Sequence, residues 1–202
     1  MKIIKYEKKK NGKYRLYLDN NETIDLYEDT ILKNNLLYKK EIDEELLSNL
    51  SLDNGEYTIL NKCINYIGVR LRSRKEIIDY IKKYTTDEIV IDNIINKLES
   101  NRLIDDLSFT KAFIKDKWRF TTLGPYRIIN ELKNHNINES IILDEINNIT
   151  DEEILDKLDK QFIKAIKRNK NKPNLRNKLY NSFISQGYST DHIVNMLNKY
   201  SL

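Results

Sequence analysis

The chain has 202 residues, 33% of them charged and 40% hydrophobic, with a formal net charge of +4, five Gly, two Pro, two His and one Cys. That composition excludes a disordered chain and a turn-rich all-β fold, and no apolar run reaches the roughly 18 residues of a membrane span. The opening Met1-Lys2-Ile3-Ile4-Lys5 lacks the apolar stretch of a secretory signal, so a mainly helical, cytoplasmic protein without membrane contact is expected. Lys10-Asn11-Gly12-Lys13 predicts a type I′ turn, and Tyr14, Leu16 and Leu18 alternate with Lys13, Arg15, Tyr17 and Asp19 as in a strand. A second turn at Asn20-Asn21 and the alternating Ile24 and Leu26 complete an antiparallel meander near residues 2–9, 13–19 and 22–27. Two acidic helical stretches follow. Asp29 is expected to cap one carrying Ile31, Leu32 and Leu36, and Asp43 one carrying Leu46, Leu47 and Leu50. Asp53-Asn54-Gly55 predicts the end of this N-terminal module, residues 1–55.

From Tyr57 onward the pattern returns every 51 residues. Ile77, Ile78, Ile81, Ile91 and Ile95 become Ile128, Ile129, Leu132, Ile142 and Ile146, then Leu179, Tyr180, Phe183, Ile193 and Leu197. Helix starts recur too: Ser73 with Glu76 forms a capping box, Gly124 precedes Pro125 at a first helical position, and Thr85 with Glu88, Asn138 and Ser189 mark a later helix. Each unit therefore reads as an opening helix, near 57–69, 106–118 and 152–168, followed by a helix pair. Such units bury their apolar stripes by stacking, so three tandem helix-turn-helix-like repeats in a curved solenoid are expected at residues 56–104, 105–150 and 151–202.

Charge is segregated. Between 160 and 178 stand eight cations, Lys160, Lys164, Lys167, Arg168, Lys170, Lys172, Arg176 and Lys178, and no acid. The equivalent junctions carry Arg70, Arg72, Arg74 and Lys75 in the first unit and Lys117, Arg119 and Arg127 in the second. Acids gather elsewhere, at Asp43, Glu44, Glu45, Asp53 and Glu56 and across residues 139–156. Cations at helix ends are favoured by the backbone dipole alone, but their recurrence also fits a rim facing a polyanion or an acidic protein. Tyr66, Trp118, Phe120 and Tyr126 lie near these cations; helical spacing suits Tyr66 and Trp118 to a core as well as to stacking. Cys63 falls on an apolar stripe, and His135 and His192 have no ligand partner at metal spacing, so neither a metal nor a cofactor is implied. There is no P-loop, G-x-S-x-G or H-E-x-x-H, and Asp105, Asp106 and Glu131 read as helix caps or partners of Arg70 and Arg127 rather than catalysts.

Three stretches, in order, resemble the RecX family: Asn65 to Ile77, with Arg70-Leu71-Arg72-Ser73-Arg74-Lys75-Glu76 at its centre; Leu103-Ile104-Asp105-Asp106-Leu107-Ser108-Phe109; and Gly124-Pro125-Tyr126-Arg127-Ile128-Ile129-Asn130-Glu131-Leu132. The resemblance spans about residues 57–202. It departs at Thr110, where alanine is usual, and at Asn136, where the family often has glycine. It implies a non-enzymatic, monomeric regulator that binds the RecA nucleoprotein filament and inhibits strand exchange, ATP hydrolysis and coprotease action in DNA repair and the SOS response. The candidate contacts are Arg70, Arg72, Arg74, Lys75, Lys117, Arg119, Arg127, Lys167, Arg168, Lys170, Lys172 and Arg176. A direct binder of single- or double-stranded DNA is the alternative.

Overall fold

A computed structural model describes residues 1–10, 12–169 and 173–202; Asn11 of the expected first turn lies outside them. Where the two-residue alternation runs, β1 (Ile3–Lys8), β2 (Lys13–Leu18) and β3 (Thr23–Tyr27) form an antiparallel sheet in that order. Its register aligns Tyr6 with Leu16 and Ile24, and Tyr14 with Leu26. These residues share one face, which packs with Ile31, Leu36, Ile42 and Leu50 into a core. The rows Lys5–Tyr17–Thr23 and Glu7–Arg15–Asp25 share the opposite face.

Helix α1 (Glu28–Lys33) starts two residues earlier than expected. Tyr27, still extended as the last residue of β3, is its N-cap without a side-chain bond, so Asp29 sits inside the first turn instead of capping it. Two acids there still complement the helix dipole. Helix α2 (Glu44–Ile67) is capped by Asp43, whose carboxylate accepts from the Leu46 amide at 2.7 Å. It then runs unbroken through Asp53-Asn54-Gly55, where a stop was expected. The turn-forming residues are occupied by tertiary bonds: Asp53 accepts from Lys33 and Asn34, while Asn54 accepts from the Tyr27 amide and donates to the Asp25 carbonyl. Asn54 thus pairs the outer edge of β3, and polar side chains so used have no reason to turn the chain. One turn on, the buried Glu56 meets Lys97 at 2.5 Å and Asn93 at 3.3 Å.

The remaining helices are α3 (Arg74–Ile81), α4 (Glu88–Ser100), α5 (Asp106–Phe120), α6 (Pro125–Lys133), α7 (Glu139–Ile146), α8 (Asp151–Asn169), α9 (Leu175–Gln186) and α10 (Thr190–Lys199). They group as three three-helix units, α2–α4, α5–α7 and α8–α10. Of the fifteen positions in the 51-residue pattern, twelve are buried, and the three that are only half-buried, Ile78, Ile129 and Tyr180, are the same position in each unit. The third helix is capped by Asp87, Asn138 and Ser189, themselves 51 residues apart. The expected Thr85 cap is therefore two residues out of register; its hydroxyl instead accepts from the Asp87 amide. Asn136 adopts φ 56°, a left-handed conformation that suits Asn or Gly, and Thr110 is buried with its hydroxyl donating to the Asp106 carbonyl. The described residues divide into two compact units, Met1–Arg70 with Ile77–Leu103, and Leu71–Glu76 with Ile104–Leu202.

Candidate partner-binding surface

Within the second unit the joints between helices repeat as the helices do. The capping box at Ser73 is formed, with each of Ser73 and Glu76 accepting the other's amide. Ser73 Oγ also lies 3.3 Å from His135 Nδ1, and Lys75 Nζ donates to the Asn134 carbonyl. Fifty-one residues on, the Gly124 amide donates to the Gln186 carbonyl at 2.8 Å and the Tyr126 amide to the Gly187 carbonyl at 3.1 Å. Here the backbones touch: a Cβ on Gly124 would stand 2.5 Å from the Gly187 oxygen. A further equivalent pair does the same work with opposite polarity. Asp106 accepts from the Arg74 amide, while Lys157 donates to the Trp118 and Leu123 carbonyls, both at 2.8 Å. Burial pushes the Lys157 ammonium down to about 8, and the two carbonyls and the Trp118 ring, 3.8 Å from its nitrogen, support the charge in place.

All of the described candidate cations except Arg70 belong to this unit, at the first-to-second-helix junctions. They differ in what holds them. The Arg72 side chain is only 10% exposed and lies 3.8 Å from Glu76, Lys117 lies 2.7 Å from Glu131, Lys75 is on Asn134, and Arg176 donates to the Leu202 carbonyl. Glu131 was expected to partner Arg127, and Lys117 reaches it from α5 instead. Arg74, Arg119, Arg127, Lys167 and Arg168 are exposed. Lys170 and Lys172 lie outside the described residues. Among the aromatics, Tyr66 stacks on Tyr80 at 4.2 Å and Trp118 is half-buried beneath Lys157, whereas Phe120 and Tyr126 are 72% and 59% exposed.

The titratable groups have structural environments. Burial pushes the Cys63 thiol up to about 11. His135 sits 5.1 Å from the Phe109 ring and 5.5 Å from Phe113, and Asp105 caps α5 through the Leu107 and Ser108 amides. A cleft of about 930 Å³ in the second unit is lined by Tyr126, Ile129, Leu143, Ile154, Asp151 and His192, with His192 Nε2 3.5 Å from Asp151. Among the described residues no three His, Cys, Asp or Glu side chains cluster to hold a metal, and no helix is long and apolar enough to cross a membrane. A further basic region lies outside the repeat junctions: residues 1–17 hold seven Lys and Arg against Glu7 alone, a density that charge followed along the helical repeat does not single out.

Residues 60–98 match the family model "RecX, first three-helix domain", and residues 105–144 match "RecX, second three-helix domain". A regulatory protein RecX of Listeria monocytogenes (strain HCC23) is 31% identical over 195 residues, covering 95% of this chain and 72% of the relative. A regulatory protein RecX of Streptococcus agalactiae (strain 2603 V/R) is 31% identical over 93% of this chain and 72% of its own length. Among solved structures, the crystal structure of regulatory protein RecX superposes with a TM-score of 0.87 over 98% of both chains at 24% identity, a likeness of fold. RecX from Lactobacillus salivarius superposes at 0.67, with 26% identity, over 73% of this chain and 97% of that one. Matched along 95% of its length by a relative of this kind, the chain belongs to the RecX family of regulatory proteins.

Proposed function

We propose that this protein regulates the RecA recombinase by binding its nucleoprotein filament as a monomer, and that it suppresses strand exchange, ATP hydrolysis and coprotease action without catalysing a reaction. The observation that carries this is the recurrence of cations at the first-to-second-helix junction of each three-helix unit, in a chain whose relatives are regulatory proteins. The working divisions are residues 56–104, 105–150 and 151–202, with 1–55 preceding the first and joined to it by the unbroken α2. Weak contacts from successive units on one chain combine through effective concentration, so a repeat scaffold suits a repeating filament. Arg74, Arg119, Arg127, Lys167 and Arg168, being exposed, are the leading contacts, joined by Arg70, Lys75, Lys170, Lys172 and Arg176. Arg72, largely covered and beside Glu76, acts instead by holding the start of α3.

The test is a titration of the protein into RecA filaments on single-stranded DNA while ATP hydrolysis and filament length are followed. Saturable suppression at sub-stoichiometric or stoichiometric protein is expected. Tight binding to naked DNA with no effect on filaments would transfer the function to direct DNA binding, the second reading, which the helix-turn-helix-like units favour.

A further inference from the structure

We infer that the β1–β2 hairpin is a second, separate binding surface, and that its ligand is the phosphate backbone of duplex nucleic acid. Seven Lys and Arg stand in residues 1–17 against one acid, Glu7. Three of the lysines are held in a common way, each opposite a tyrosine across the sheet: Lys5 pairs with Tyr17, Lys8 with Tyr14 and Lys13 with Tyr27. Their ammonium nitrogens lie 5.5, 5.9 and 4.6 Å from those ring centroids. A π-face attracts a cation but carries no net charge, so these contacts orient the lysines without neutralising them. Their neighbours Lys9 and Arg15 are differently placed, ion-paired to Glu7 at 2.9 Å and to Asp25 at 2.7 Å. Lys5 and Lys13 point to the face opposite the core, and Lys8 to the other side of the same hairpin, so charge projects from both faces.

Three features select the occupant. A protein partner would call for an apolar or aromatic anchor, since interface cores are depleted in lysine. The sheet's core-opposed face shows none: its Tyr17 and Tyr27 rings are covered by lysine, and the large exposed hydrophobic residue in these strands is Ile4, at the irregularity between Ile3 and Lys5. A single strand is recognised by open stacking platforms, which lysine-covered rings do not offer. Rows of phosphates on a duplex ask only for positioned cations.

Because naked duplex is the probe, the outcome is independent of the RecA reading. Binding of a labelled duplex oligonucleotide to the full chain, measured by fluorescence anisotropy over a salt series, is compared with a Lys5→Gln, Lys8→Gln, Lys13→Gln variant. Loss of three phosphate contacts should lower affinity at least about tenfold and flatten the log–log salt slope by roughly 2 to 3. A Lys5→Arg, Lys8→Arg, Lys13→Arg variant should restore both. A control with equal charge loss at carboxylate-paired sites, Lys82→Gln, Lys133→Gln and Lys199→Gln, should change little. The proposal is overturned if the parent does not bind duplex, if the hairpin variant with parental circular dichroism keeps its affinity and slope, or if the control loses as much. It is equally overturned if only single-strand binding or only filament binding falls.

Discussion

Cys63 is a core residue by its chemistry as well as its position. With the thiol pushed up to about 11 by burial, thiolate is scarce near neutral pH and nucleophilic chemistry has no starting species. Cys63→Ala should therefore leave regulatory activity intact at a stability loss of about 1 to 2 kcal/mol; a folded variant that binds but no longer regulates would restore a chemical role. Glu7 makes a different residue-scale prediction. The Tyr17 hydroxyl and then the Lys9 ammonium hold its carboxyl down to about 2. A folded value below the unfolded one means that its stabilising contribution is complete above about pH 4.3 and is lost as pH falls from there towards 2. An NMR titration should place the Glu7 carboxyl at about 2 and show it rising in Tyr17→Phe; an ordinary midpoint in the parent would contradict the Tyr17–Glu7 bond. His135 shows how far single residues are legible. Its lack of ligand partners is plain from spacing, but its seat between Phe109, Phe113 and Ser73 is not, because Ser73 is 62 residues away in sequence.

At the scale of elements, two glycines separate what a helix needs from what a joint needs. Gly55 lies inside α2 with nothing within 4 Å of an added Cβ, so Gly55→Ala should stabilise the protein by about 0.5 to 1 kcal/mol in a thermal melt. Gly187 has φ +89°, and an added Cβ would stand 2.3 Å from the Arg127 amide nitrogen. Gly187→Ala should cost at least about 2 kcal/mol, and equal melts for the two variants would contradict the joint described between α6 and the turn after α9. The same elements show why the meander and the 51-residue repeat could be read from sequence while α2 could not. Periodic burial leaves a trace at every turn, as Ile77, Ile128 and Leu179 do. The continuity of α2 depends instead on Asp53 and Asn54 finding Lys33, Asn34 and the edge of β3, contacts between residues 19 to 29 apart that no local pattern encodes. Thr85 was mistaken for a cap for a related reason: Thr85 and Asp87 both have capping side chains, and only the 51-residue register selects Asp87.

Over the whole molecule a net charge of +4 conceals strong local segregation, and the fold decides which charges remain outward. Spacing alone placed cations at every first-to-second-helix junction. It could not distinguish Arg72, covered beside Glu76, or Lys117, engaged by Glu131, from Arg74, Arg119, Lys167 and Arg168, because those partners arrive through packing. Binding of the RecA filament through the exposed set is tested most directly by an Arg74→Glu, Arg119→Glu, Lys167→Glu, Arg168→Glu variant, titrated into RecA filaments while ATP hydrolysis is measured. Because contacts on separate units act together, the folded variant is predicted to require at least about tenfold more protein than the parent for half-suppression. Half-suppression by the folded variant at the parent's concentration would contradict it and leave these cations as solvated helix ends.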